Sequence, residues 1–272
     1  MRPLLVILLV LSLHTVCANG QTVRSPRTVI VRSGSLKLRA LLWQPGGRGP
    51  FPAVLFSTGS GQTPSLKELG ELFSRHGYVF LALYRSGQGL SRTQGVESAS
   101  RVMRERAAKG DDAANKLQLR LLEGEQLDET RNALALLRSL PRVDQRRISI
   151  VGHSFGGSLA LLLAESDPAI RAVVNFGGGA GSWPRSSYLR DRLVSAARNL
   201  TVPVLYIHTA NDYSIAPGEV LTGELARQGK PHRLKLYPAF GETPRDGHNI
   251  IYLSIKTWER DVFDFLAEHT AR

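Results

Sequence analysis

The apolar positions of this 272-residue chain fall into short runs with two periods. "TVIVRSGSLKLRALLW" (28–43) is two β-prone stretches around Ser33-Gly34, which predicts an antiparallel hairpin. "AVLFS" (53–57), "YVFLALY" (78–84), "ISIV" (148–151), "AVVNF" (172–176), "VPVLYIH" (202–208) and "RLKLY" (233–237) follow. The continuous apolar runs among them are what strands covered on both faces require. Pro203 falls at a strand start, where a missing N–H is tolerated. Between these runs the spacing becomes helical. Leu66, Leu69, Leu72 and Phe73 share one side of a helix over 65–76, and Leu127, Thr130, Leu134 and Leu137 form a stripe that ends before Pro141. Residues 96–124 are polar, charged and helix-prone, and read as a helical insertion after the fourth strand; 178–200 reads as a cap region. Strands alternating with helices predict an α/β fold. Its sheet is mostly parallel, has helices on both faces and opens with the antiparallel hairpin.

Residues 1–20 have the three-part pattern of a signal peptide: Arg2, an apolar stretch from Pro3 to Val16, then small residues. That stretch is shorter than the ~20 residues a membrane span needs. Cleavage is expected after Ala18 or Gly20, leaving 21–272 as a single exported domain, secreted or periplasmic. Cys17 is the only cysteine, so the mature chain would carry no disulfide and no thiol chemistry.

Net charge is +12, and 28 of the 35 basic residues are arginine. They are scattered beside Glu and Asp, as in "RVMRERAAKGDD", rather than clustered with aromatics. This is a solvated basic surface and not a nucleic-acid interface.

The candidate chemistry centres on "GHSFGG" (152–157). In a chain with 26 glycines the pattern G-x-S-x-G is weak by itself. Here a strand precedes it, and a helix carrying Leu159, Leu161, Leu162 and Leu163 follows, which is the context of a nucleophile elbow. Ser154 is then the expected nucleophile, with glycines letting strand and helix approach. A serine hydroxyl needs a base. His248, in the polar stretch "RDGHNIIYL" before the C-terminal helix, is the histidine best placed by sequence; His208 ends an apolar strand and reads as structural. The order Ser, acid, His favours Asp212, just past a strand, with Asp246 as its rival. Oxyanion donors are expected from the N–H of Phe155 and, in "STGSGQ" after the third strand, of Ser60. Arg85 is a candidate for binding a substrate carboxylate or for a structural salt bridge, and Trp183 for a pocket wall or for core packing. No metal ligands are assigned.

With "GHSFGG", "LYRSGQGLS", "ANDYSIAP" and "DGH" in that order and spacing, the chain resembles dienelactone hydrolase-like members of the α/β-hydrolase superfamily over about 28–268. The resemblance implies an eight-stranded sheet whose second strand is antiparallel. It also implies hydrolysis of small-molecule esters or lactones with no metal or cofactor. Dienelactone hydrolases proper have a cysteine nucleophile where this chain has Ser154. Many relatives have His-Gly where this one has Thr58-Gly59. Both departures favour a general esterase. A peptidase or acyltransferase on the same fold, or a non-catalytic envelope-binding protein, stands as the alternative. A haloalkane or epoxide hydrolase would place a carboxylate at the elbow.

Overall fold

The computed structural model describes residues 25–271; the stretch read as a signal peptide lies outside them. Strands β1 (Arg27–Ser33) and β2 (Leu36–Trp43) form the expected hairpin, with Ser33 opposite Leu36. Gly34 takes the turn at φ 57°, a region that favours glycine. β2 pairs antiparallel with β4 (Val79–Tyr84). From there β3 (Phe51–Ser57), β5 (Val143–His153), β6 (Val173–Phe176), β7 (Val204–Thr209) and β8 (His232–Tyr237) continue in parallel. The strand order is β1-β2-β4-β3-β5-β6-β7-β8.

β3 lies between β4 and β5, so the chain leaves it in one direction and returns on its other side. Such a reversal opens a crevice beyond the carboxyl ends of the strands. The first crossover is α1 (Lys67–Arg75); the return runs through α2 (Ser98–Glu123) and α3 (Glu125–Ser139).

Both faces of the sheet are apolar, and alternate residues of one strand feed two cores. Leu55 packs with Leu127, Leu134 and Leu137 of α3 and with Leu159 to Leu163 of α4 (Phe155–Ser166). α5 (Ser187–Asn199) and α6 (Ala216–Arg227) cover the rest of that face. Val54 and Phe56 point the other way, into a core with Leu69 and Phe73 of α1 and Trp258, Val262 and Leu266 of α9 (Ile255–Thr270).

Two features differ from the pattern. β5 starts at Val143 rather than 148: Val143 is buried opposite Phe51, and the polar residues 144–147 carry the strand past an irregularity in the pairing, so no apolar run marks its start. The helix over the 96–124 region is broken at Gly110, whose φ of 80° and ψ of −178° lie outside helical space. No helix among the described residues is long and apolar enough to cross a membrane.

Candidate active site

Between the end of β5 at His153 and the start of α4 at Phe155 stands one residue, Ser154. Its φ of 54° and ψ of −121° make it the one non-glycine residue with positive φ among the described residues. Such a conformation costs on the order of 1–3 kcal/mol and persists only where neighbours dictate it. They do so here. Ser154 N–H donates to Phe176 O at 2.8 Å, and Ser154 O accepts from Gly157 N at 2.9 Å. The flanking glycines are sterically required. A Cβ on Gly152 would lie 2.2 Å from Gly156 O, and one on Gly156 would lie 2.1 Å from Ser57 O. Phe155 N–H opens α4, where no intrahelical carbonyl is available to it.

Asp212 follows β7 and is turned inward by the bond from its N–H to Thr209 O, 3.0 Å. His248 lies not in a loop but at the end of a short helix, α7 (Pro244–His248). Its Nδ1 donates to Asp212 Oδ1 at 2.7 Å. A carboxylate only accepts, so the proton sits on Nδ1 and Nε2 is the free base of the neutral ring. The other carboxylate oxygen, Oδ2, meets His208 Nδ1 at 2.8 Å. The buried Asp212 is thus held between two imidazoles. Burial pushes its carboxyl up, but the bonds from His208 and His248 more than offset this and hold it at about 2. Gly177, at φ 60° beyond β6, leaves room for the pair: a Cβ there would lie 2.9 Å from both Asp212 Oδ2 and His248 Nδ1.

Asp246, the rival acid, is used elsewhere. Its Oδ2 accepts from Thr243 N–H at 2.9 Å while its own N–H donates to Thr243 Oγ1 at 3.2 Å. This reciprocal cap starts α7 and so sets where His248 emerges.

His153 lies beneath His248. Its Nε2 donates to His248 O at 3.0 Å, and its Nδ1 faces the Tyr252 hydroxyl at 3.3 Å. Burial, with the neighbouring His248, lowers its pKa to about 3, so the ring stays neutral.

Ser154, His248, Phe155 and Ser60 all line one cavity of about 500 Å³ at the carboxyl edge of the sheet. Arg85 and Trp183 are not among the residues that line it, and both take the structural alternative that the sequence leaves open. Trp183 is buried in the core cluster beside Leu189 and Leu193. Arg85 is fully buried, for a reason that the cavity explains. Its guanidinium donates to Ser57 Oγ (2.8 Å), Thr58 O (3.0 Å), Gly59 O (2.6 Å) and Gln126 Oε1 (2.9 Å). Burial lowers its pKa to about 10, against the opposing pull of Glu129, and it stays charged. Gln88 reinforces the clamp by donating to Gly59 O at 2.7 Å and Gly61 O at 3.1 Å. In a trans peptide the C=O and the following N–H point in opposite directions. Pinning Gly59 O to Arg85 and Gln88 therefore turns Ser60 N–H away from the buried guanidinium.

Gln88 and His208 are the site residues the sequence did not reveal. The one available signal was the glycine-rich "YRSGQGLS", whose Gly87 sits at φ 77° against the backbone of Glu97.

The sequence matches the Dienelactone hydrolase family over residues 38–269. The chain belongs to that family. A curated relative, the quorum-quenching protein AidA of Acinetobacter baumannii (strain MDR-ZJ06), is 27% identical over 155 residues, 56% of this chain. The match spans 43% of that relative, less than half its length. Among solved structures, a dienelactone hydrolase-like promiscuous phosphotriesterase from metagenomic libraries superposes with a TM-score of 0.64 at 20% identity, covering 92% of this chain and 99% of that one. A puromycin-hydrolyzing peptidase of Mycobacterium tuberculosis gives a TM-score of 0.66 at 17% identity, over 90% of this chain and 39% of the other. These likenesses show the α/β-hydrolase fold. As a dienelactone hydrolase family member, the chain carries Ser154 at the elbow of that fold.

Proposed function

We propose that the protein is an exported serine hydrolase that cleaves carboxylic esters or lactones through an acyl-enzyme. The observation that carries this is the strained Ser154, which shares a cavity with a histidine whose Nδ1–H is held by Asp212.

Ser154 Oγ attacks the ester carbonyl as His248 Nε2 takes the hydroxyl proton. The negative oxygen is met by the N–H groups of Phe155 and Ser60. The C–O bond to the leaving group then breaks, and His248 returns the proton to that oxygen. Water repeats the sequence: His248 takes its proton, the acyl carbon releases Ser154, and the acid departs. Asp212 stays ionised throughout, holds the tautomer and stabilises the imidazolium. The steps need no metal or cofactor.

A fluorophosphonate probe tests the assignment. It should label the wild-type protein in one-to-one ratio and leave Ser154→Ala unlabelled. Labelling that survives in Ser154→Ala would show another nucleophile, and a wild type that resists the probe would return the scaffold to the binding-protein reading. Export rests on the pattern of residues 1–20. Protein recovered from its host should begin at Asn19 or Gln21 by mass spectrometry, and a species retaining Met1 would contradict export.

A further inference from the structure

A second cavity, of about 180 Å³, adjoins the first beneath α2. Ser60, Gln118, Phe155, Ser182 and Arg185 line both, and Arg106 lines the second alone. Most residues of the second are polar, and among the described residues no Asp or Glu lines either cavity. A guanidinium carries five N–H donors, and each of these two uses one of them within the protein. Arg185 Nη2 donates to Gly181 O at 2.6 Å, and Arg106 Nε to Asp111 Oδ1 at 2.6 Å. Gln118 Nε2 donates to Ser182 Oγ at 2.9 Å, which leaves Ser182 its own O–H to give. Arg106 reaches the cavity because Ala99, Val102, Met103 and Arg106 follow the spacing of one helical face. Helix side chains lean toward the N-terminus, so Arg106 leans back toward Ala99. A backbone bond from Ala99 N to Ser60 O, 3.1 Å, ties that end of α2 to the oxyanion loop. The branch therefore has the oxyanion donors at one side and two arginines with free donors in its wall.

We propose that this branch receives the acyl part of a half-ester of a dicarboxylic acid, with the free carboxylate on Arg185 and Arg106. The assignment rests on Ser154 being the nucleophile. Its orientation follows from proton transfer. His248 must reach the leaving oxygen to protonate it, so the alcohol part lies on the His248 side. His248 lines the first cavity and not the second. The other substituent of the carbonyl carbon, the acyl chain, is then the one directed past Ser60 and Phe155 into the branch. Guanidinium donors with no protein partner, in a wall without acids, match a carboxylate. The charge selects a monoanion: Asp111 offsets one of the two arginines, which leaves one positive charge to be met. The volume lies below the ~300–1,000 Å³ of pockets that hold whole ligands, which suits one arm of a substrate rather than a second molecule. Water then releases the dicarboxylate from Ser154 as it would any acyl group.

The test compares charge at constant shape. kcat/KM is measured by ethanol release on the monoethyl esters of succinic, glutaric and adipic acids, each beside its neutral analogue with the free carboxylate replaced by a primary amide. Enzyme is normalised by active-site titration with diethyl p-nitrophenyl phosphate. At the best-fitting length the anionic ester should be preferred at least about tenfold. Arg185 is exposed, so this preference should shrink as sodium chloride is raised. Arg185→Gln should cut the anion-to-amide ratio about tenfold, and Arg106→Gln, whose charge Asp111 already offsets, about threefold. If the Arg185 variant fails to fold, the Arg106 variant and the salt dependence carry the test. Arg245 lines the first cavity alone, with His248. If Arg245→Gln collapses the ratio instead, the anion belongs to the leaving group and the assignment falls. A fully titrating enzyme with equal rates on anion and amide at every length, or arginine variants keeping the wild-type ratio, would overturn the branch while leaving Ser154 in place. A wild type that the phosphate does not titrate would overturn both.

Discussion

His208 Nδ1 lies 2.8 Å from Asp212 Oδ2, the carboxylate oxygen that His248 does not use. One acid therefore positions two rings. The second ring anchors the acid, because the His208 side chain is fully buried at the end of β7. Removing that anchor in His208→Leu should lower kcat about tenfold with little change in KM. Steady-state kinetics beside thermal unfolding check this. A stable variant with wild-type kcat would reduce His208 to packing.

The two candidate acids should separate cleanly. Asp212→Asn should cost about 10⁴-fold in kcat/KM, because an amide can donate to the imidazole and hold the wrong tautomer. Asp246→Asn loses part of the reciprocal cap of α7 and should lower stability slightly with a far smaller rate effect. Kinetics on one activated ester, paired with urea unfolding, distinguish them; a larger rate loss from Asp246→Asn would reverse the assignment.

Arg85 should act on rate without touching substrate. Arg85→Lys keeps the charge but cannot span Ser57, Thr58, Gly59 and Gln126 at once. Freed from the clamp, the Gly59–Ser60 peptide loses its fixed direction. The expected fall in kcat is about 10–10²-fold, below that for deleting an oxyanion donor outright. Gln88→Ala, which keeps the arginine, should give a smaller fall of the same kind. A rise in KM with kcat unchanged would instead place Arg85 on the substrate.

His153 should govern stability in acid. Its folded pKa of about 3 lies below the ~6.5 of an unfolded chain. Between those values the unfolded state binds a proton that the folded state does not, so stability is lost as pH falls below about 6.5. At pH 5 this amounts to about 2 kcal/mol. His153→Gln retains an N–H for His248 O and has no titration in this range. Urea unfolding at pH 7 and pH 5 should show the wild type losing about 2 kcal/mol more than the variant. Equal losses would mean that folded His153 takes up the proton.

Much of this architecture was legible because the sheet is covered on both faces. Runs such as "YVFLALY" have no other comfortable environment, and the elbow announces itself once a strand precedes it and a helix follows. Asp212 and His248 were legible as strand-end and post-strand residues, and the fold brings them within 2.7 Å. Legibility failed where direction depended on distant partners. Sequence puts Arg85 one residue beyond β4, but what turns it inward are distant partners, Ser57, Thr58 and Gly59 at the end of β3 and Gln126 of α3. Trp183 sits in a glycine-rich stretch that looks open, yet packs against α5. His208 ends an apolar strand, and no local pattern reveals that β7 aims it at the same carboxylate as His248. The cap formed by Asp246 was equally hidden, since "TPRDGH" reads as loop until Thr243 and Asp246 bond each other.

During turnover Ser154 should carry the acyl group. An acid quench during hydrolysis of a p-nitrophenyl ester, followed by peptide mass spectrometry, tests this directly. An increment equal to the acyl group should appear on the peptide containing Ser154 and be absent in Ser154→Ala. Turnover at full rate with no adduct there, or with the adduct on another residue, would contradict it.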